Sequence, residues 1–279
     1  MLLSTAIFGA IAMLFGQSIS TSIIIGGMVA NDFDPRQILV GTPSQSTRDR
    51  LSAATGATTM ADNHQAAARA DIVVLAVKPK MMRQVVMDLA SALTHRPIII
   101  SVAAGIPVAA LKQWLGSDMP VIRAMPNTPS MIQAGATGLF TQSDLTTEQR
   151  SLVDQIFQAI GYSCWVDSEE LIDAVIAVSG SGPAYFFLVL EAMQKIAQEL
   201  GLPKQTAQEL SLHTALGASR MAMESGISAA ELRDQVTSPG GTTQAAIKSF
   251  QQHGLEDIFR TAMTSAVARA QEMSKDFSS

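Results

Sequence analysis

The sequence predicts an α/β protein in which a doubly wound parallel sheet is followed by an all-helical region. Three observations carry this prediction. Short apolar runs rich in β-branched residues recur along the first 165 residues, they alternate with helix-like segments, and beyond that point Met, Ala, Leu, Glu and Gln dominate. Strand alternating with helix implies βαβ crossovers within one parallel sheet. The chain of 279 residues, 47% hydrophobic and 15% charged, has enough apolar material for a substantial core.

The clearest strand is Ile72 to Val77, a continuous apolar run that fits a strand buried on both faces. Ile98 to Val102 and Val121 to Met125 repeat the pattern, and Ile38 to Val40 is an earlier strand. Helices are expected at Ala61 to Ala70, Met81 to Leu93 and Pro107 to Leu115, with a further one opened by the Thr146/Gln149 capping pair and ending near Ile160. The texture changes near Cys164 to Ser168, which divides the chain into residues 1–165 and 166–279. In the second part helices are expected at Gly182 to Leu200, Pro203 to Ser225, Ala229 to Gln235, Thr242 to Gln252 and Leu255 to Phe277. Pro203 after Gly201 suits a helix start, and Ser228 with Glu231 forms another capping box.

Composition narrows the function. A formal charge of -5 without any Lys/Arg cluster argues against nucleic acid, whose phosphates require a basic face. Cys164 is alone, and His64, His95, His213 and His253 show no metal-ligand spacing, which suits a reducing, cytoplasmic and metal-free protein. Ala6 to Phe15 is apolar, yet no basic residue precedes it, and Gln17, Ser18, Ser20, Thr21 and Ser22 interrupt it before membrane-spanning length. Neither an export signal nor a membrane anchor is expected.

Four motifs are candidates for chemistry. Ala76-Val77-Lys78-Pro79 follows the best strand, where ligands of open α/β sheets collect, although taken alone it reads more readily as a solvated lysine before a helix. Met125-Pro126-Asn127-Thr128-Pro129 is a proline-stiffened loop with two hydrogen-bonding side chains, or an ordinary connection. Ser179-Gly180-Ser181-Gly182-Pro183 opens the long helix, its glycines serving either packing or a ligand. Thr237-Ser238-Pro239-Gly240-Gly241-Thr242-Thr243 is a donor-rich turn at a helix N-terminus, suited to a small carboxylate and also to plain helix capping. His213, His253 and the Glu169-Glu170 pair are read as surface or satisfied packing groups without chemistry.

In order and spacing these four motifs closely resemble those of the pyrroline-5-carboxylate reductases, with the resemblance running from about Ile23 to Met273. The family implies a Rossmann domain, then a helical domain that interlocks two subunits, with dimers often assembling into rings. It implies reduction of the cyclic imine 1-pyrroline-5-carboxylate to L-proline by NADPH or NADH, the last step of proline biosynthesis. Such hydride addition needs near-attack geometry and a protonated or hydrogen-bonded imine nitrogen but no nucleophile. The resemblance assigns the substrate carboxylate to Ser238, Gly241, Thr242 and Thr243, with Thr243 assisting protonation of the imine nitrogen. It assigns the cofactor to Gly16, Gln17, Ser18, Ile19 and Ser20, to Thr42 with Pro43, to Asn63 near the adenine ribose, to Ala76, Val77, Lys78 and Pro79, and to Ala103 and Ala104 near the nicotinamide. No acidic residue follows Val40 directly, and Arg48 and Arg50 are close in sequence, so NADPH is expected ahead of NADH.

One motif departs from the family. Where its first strand runs into Gly-x-Gly-Asn-Met-Ala, spacing aligns Gly16-Gln17-Ser18-Ile19-Ser20-Thr21, which keeps only the first glycine. Ser18 adds a Cβ where the backbone approaches the pyrophosphate, which should weaken cofactor binding. A second register, Phe8-Gly9-Ala10-Ile11-Ala12-Met13, looks more like the motif but needs an insertion before Ile23. The altered loop leaves a non-catalytic or cofactor-impaired relative as the alternative reading. A β-hydroxyacid reductase would need a lysine near the start of the helix at Ser179, and the nearest, Lys195, is too distant.

Overall fold

The computed structural model describes residues 10–15, 19–116 and 118–277. Eight strands form one sheet: β1 Ala10–Phe15, β2 Ile38–Gly41, β3 Thr58–Met60, β4 Ala70–Ala76, β5 Ile98–Ser101, β6 Val121–Met125, β7 Gly135–Thr141 and β8 Gly161–Trp165. Their order is β3-β2-β1-β4-β5-β6-β7-β8. β1 to β6 are mutually parallel, β7 runs antiparallel to β6, and β8 is parallel to β7. Helices α1 Ile19–Ala30, α2 Gln45–Thr55, α3 Asn63–Ala67, α4 Pro79–Leu89, α5 Val108–Leu115 and α6 Thr147–Gln158 connect them.

The period-2 geometry of a strand explains why these sequences are apolar without interruption. Ile11, Met13, Ile38, Val40, Ile72 and Val74 pack with α1, α2 and α6 on one face, while Ala12, Leu14, Leu39, Val73 and Leu75 pack with α3, α4 and α5 on the other. Burying one such side chain contributes roughly 1.5–3 kcal/mol. The sheet is therefore doubly wound, as expected.

The pair β7 and β8 departs from the expected parallel sheet. Only nine residues separate Met125 from Gly135, too few for a helical crossover, so the chain turns back beside β6. The sequence Gly-Ala-Thr-Gly-Leu-Phe-Thr hides this strand because glycine weakens a strand signal. Gly138 is required by packing, since a Cβ there would lie 2.6 Å from a methyl of Val175.

The chain separates into two compact units, one running up to Ser181 and including Ala266–Ser279, the other Gly182–Ser265. The sheet unit thus extends past residue 165. Helix α7, Leu171–Val175, and the π-helical turn Ile176–Gly180 belong to it, with Ile172 in the core. It also takes the end of α12, Leu255–Lys275, where Met273 lies against Gly105 and Phe277 joins the core. The second unit contains α8 Gly182–Glu199, α9 Lys204–Glu224, α10 Ala229–Gln235, α11 Thr242–Gln252 and the first half of α12. Both expected capping boxes form: Thr146 with Gln149 on α6, and Ser228 with Glu231 on α10. Leu171–Glu199 is long and apolar enough, by length and composition, to cross a membrane, and only 22% of its most apolar window is buried.

Candidate active site

The six parallel strands deliver their carboxyl ends to one edge. Phe15 is in register with Ala76, Leu14 with Gly41, Gly41 with Met60, and Leu75 with Ser101. Because β1 lies between β2 and β4, the connections leaving it diverge here, the place where open sheets bind dinucleotides. β1 takes in Ala10 to Met13, with Ala12 and Met13 fully buried. Gly16 is the glycine that follows the first strand in sequence. Gly16, Gln17 and Ser18 lie outside the described residues, while Ile19 and Ser20 begin α1.

The remaining cofactor candidates gather on this edge. Thr42 follows β2 and is buried; its carbonyl accepts a hydrogen bond from Arg48 Nη1 at 2.7 Å, and the Arg48 guanidinium also reaches Gln45. Ser44 caps α2 by accepting from the Thr47 N–H, which groups hydroxyls, Arg48 and a helix N-terminus beside β2. Asn63 opens α3 against the end of β2, where a Cβ on Gly41 would lie 2.5 Å from its Oδ1. That oxygen is buried without a hydrogen-bond partner. Ala76 closes β4, buried Val77 follows, Lys78 is exposed, and Pro79 begins α4. Half-buried Ala103 and Ala104 follow β5. These small side chains leave room for close backbone approach, the buried Asn63 oxygen is an unpartnered acceptor beside Gly41, and the N-terminus of α2 favours an anion. The donor set fits a phosphorylated dinucleotide.

Asn127 is better defined here than by sequence. Its Nδ2 donates to the Ser179 carbonyl at 2.9 Å and its Oδ1 accepts from the Ala136 N–H at 2.9 Å, so it ties the loop after β6 to β7 and to the π turn. Sequence reading missed the charge cluster beneath this region. Arg123 on β6, its side chain 5% exposed, meets Glu169 Oε1 at 2.9 Å, and that oxygen also accepts the Val108 N–H opening α5. Buried Asp173 stands close by, and desolvation pushes its carboxyl up despite the attraction of Arg123. The available signal was a lone arginine inside an apolar strand, which demands a partner. Glu170 is exposed and held below the usual carboxylate range by its own backbone N–H and by Ser168. His213 is exposed beside Glu209, and the His253 ring lies against the Ser249 carbonyl. Among the described residues no three His, Cys, Asp or Glu side chains gather as a metal site.

The glycine-rich turn lies in the helical unit. The Gly241 N–H donates to the Ser238 carbonyl at 3.0 Å, and Gln244 reaches back to the Gly240 N–H at 2.8 Å. Gly240 has φ +74°, a conformation other residues adopt only with strain. Gly241 is the N-cap of α11 and, having no side chain, offers no cap to the first-turn N–H groups. Those donors at Thr242 and Thr243 suit an external carboxylate, aided by the positive end of the helix. Ser238 and Thr242 are exposed and Thr243 is half-buried.

Comparison with known proteins agrees with both halves. A family model described as pyrroline-5-carboxylate reductase dimerisation matches residues 169–273, and one described as NADP oxidoreductase, coenzyme F420-dependent, matches residues 10–105. A pyrroline-5-carboxylate reductase of Pseudomonas aeruginosa is 45% identical over 252 residues, covering 90% of this chain and 92% of its own. One from Vibrio alginolyticus is 42% identical, covering 91% and 94%. The solved structure of a pyrroline-5-carboxylate reductase from Coxiella burnetii superposes with a TM-score of 0.91 at 43% identity, covering 96% of this chain and 99% of that one. With near-complete coverage at this identity, the chain belongs to the pyrroline-5-carboxylate reductase family.

Proposed function

We propose that the protein reduces 1-pyrroline-5-carboxylate to L-proline by hydride transfer from NAD(P)H, the last step of proline biosynthesis. The observation that carries this is end-to-end similarity to reductases of that name, spanning both the sheet and the helical unit. No finding favours a non-catalytic relative. The test is to mix purified protein with NADPH and the cyclic imine: proline and oxidised cofactor are expected, and a folded protein that forms no proline refutes the reading.

When bound, the nicotinamide cofactor supplies the hydride. The chain's own part is positioning. We assign Thr42, Asn63, Ala76 to Pro79, Ala103 and Ala104, with Gly16 to Ser20, to holding the dinucleotide along the carboxyl edge of residues 1–165. Residues 166–279 are assigned substrate binding and dimerisation. The first turn of α11, with Ser238, Gly241, Thr242 and Thr243, takes the substrate carboxylate on backbone N–H and hydroxyl donors. The Thr243 hydroxyl hydrogen-bonds the imine nitrogen and assists its protonation, which makes the neighbouring carbon a better hydride acceptor. Thr243→Ala is expected to lower kcat by roughly 10²-fold, the scale for one donor aimed at developing charge, with the NADPH Kd unchanged. An equal loss of cofactor affinity contradicts the assignment.

NADPH is preferred over NADH in this reading because Thr42, not an acid, follows β2, and α2 opens with hydroxyls and Arg48. The ratio of kcat/KM for the two cofactors tests it. The protein is assigned to the cytoplasm, without membrane or nucleic-acid partners, and to a homodimer that can assemble into a ring. Support for self-association comes from α8, where Phe186, Phe187 and Leu188 are each more than 60% exposed, and from the dimerisation model covering this helix. Sedimentation of the purified protein without detergent distinguishes a subunit face from a membrane span.

A further inference from the structure

His64, next to Asn63 on the short helix α3, is held from both sides. Its Nδ1 lies 3.2 Å from Asp62 Oδ1, its Nε2 lies 2.9 Å from the Asp88 carbonyl, and Asp88 Oδ2 is 3.6 Å away. A carboxylate and a carbonyl can only accept. Neutral imidazole has one N–H and satisfies one of these contacts; imidazolium satisfies both. The Asp88 carbonyl also belongs to the last turn of α4, where a cation is favoured. Hydrogen bonding to that carbonyl, the largest contribution, holds His64 above its usual range against the opposing effect of desolvation, with the two carboxylates adding less. Asp62 is held below its usual range, chiefly by the His64 backbone N–H, so it is ionised when His64 titrates. Asp62 and Asp88 are the charged groups facing the ring among the described residues.

The bridge matters because α3 has only five residues, too few to persist on their own helical hydrogen bonds. Besides buried Ala66 and Ala67, its first turn is fixed by the Asp62 cap, 2.8 Å from the His64 N–H, and by the His64 ring tied to α4. Asn63 sits between these two anchors, beside Gly41 at the carboxyl edge. We propose that the imidazolium of His64 is a positioning residue for the cofactor, clamping the Asp62-Asn63-His64 turn to the end of α4 so that dinucleotide affinity falls as pH rises and the clamp loses one contact. This rests on the assignment of Asn63 to the adenine ribose.

The experiment measures the NADPH Kd by calorimetry between pH 5.5 and 8.5 for the wild-type protein and for His64→Gln, and follows the His64 ring by NMR with and without NADPH. Comparison with the variant cancels the titration of the cofactor's own 2′-phosphate. About a threefold tighter wild-type affinity at the acid end is expected, shrinking to parity at the alkaline end. By reciprocal linkage, saturation with NADPH then raises the pKa of His64 by about half a unit. A wild-type to variant ratio that is flat with pH, or a ring that titrates identically free and loaded, overturns the proposal while leaving the cofactor site standing. Absence of NADPH binding at every pH removes the cofactor assignment and this inference together. The NMR titration uses the wild-type protein, so an ill-folded variant does not shield the proposal.

Discussion

Removing the Glu169 carboxylate is the sharpest perturbation of the scaffold under the site. Arg123 is 95% buried at its side chain, one Nη bonds Glu169 Oε1 at 2.9 Å, and the other is buried without a partner. Deleting one member of a buried ion pair costs about 3–5 kcal/mol because the remaining charge stays desolvated. Two features place Glu169→Ala near the lower end. Glu169 itself is 20% exposed, and Asp173 attracts the same guanidinium. The lost acceptor for the Val108 N–H works the other way, because Pro107, the N-cap of α5, offers no side-chain cap. The expected loss is about 3 kcal/mol, or a urea midpoint lowered by about 1 M at a slope of about 3 kcal/mol/M. Arg123→Met in the same background removes the stranded charge and should restore about 1–2 kcal/mol, a coupling measured by a double-mutant cycle. Protein concentration is held fixed, since self-association adds to apparent stability. A loss below about 1 kcal/mol, or strict additivity of the two changes, refutes the view that the pair is desolvated.

Gly41→Ala places a Cβ 2.5 Å from Asn63 Oδ1 and 2.8 Å from a Leu14 methyl, so the start of α3 must shift; the NADPH Kd is expected to rise several-fold by calorimetry while the KM for the imine is unchanged. The raised Asp173 carboxyl means that the folded state binds more protons than the unfolded state between the ordinary value of 3.8 and its own higher value. Its contribution to stability is thus full below 3.8 and is lost as pH rises through the folded value, so Asp173→Asn should gain relative to wild type across that window in pH-dependent urea melts.

The doubly wound plan was legible because a strand buried on both faces must be apolar at every position, and Ile72 to Val77 satisfies that condition wherever the rest of the chain lies. Capping is equally local, and Thr146 with Gln149 and Ser228 with Glu231 meet within one turn. β7 escaped because its glycines weaken a strand signal and its neighbour across the sheet is set by chain reversal. The cofactor edge was legible only as separate segments. Their meeting depends on the common register of six strand ends, which no segment encodes alone.

What the sequence determined by itself is therefore the set of local elements, the donor-rich turn before α11 and the family to which the ordered motifs belong. The tertiary structure alone decided which residues share a site or a charge. It made Arg123, 46 residues earlier, the partner of Glu169, which the sequence left as a surface or satisfied packing group. It brought the end of α12 back to Gly105, and it set His64 against a carbonyl 24 residues away. Each is a long-range pairing, and sequence pattern reports the side a residue presents but not the group it meets.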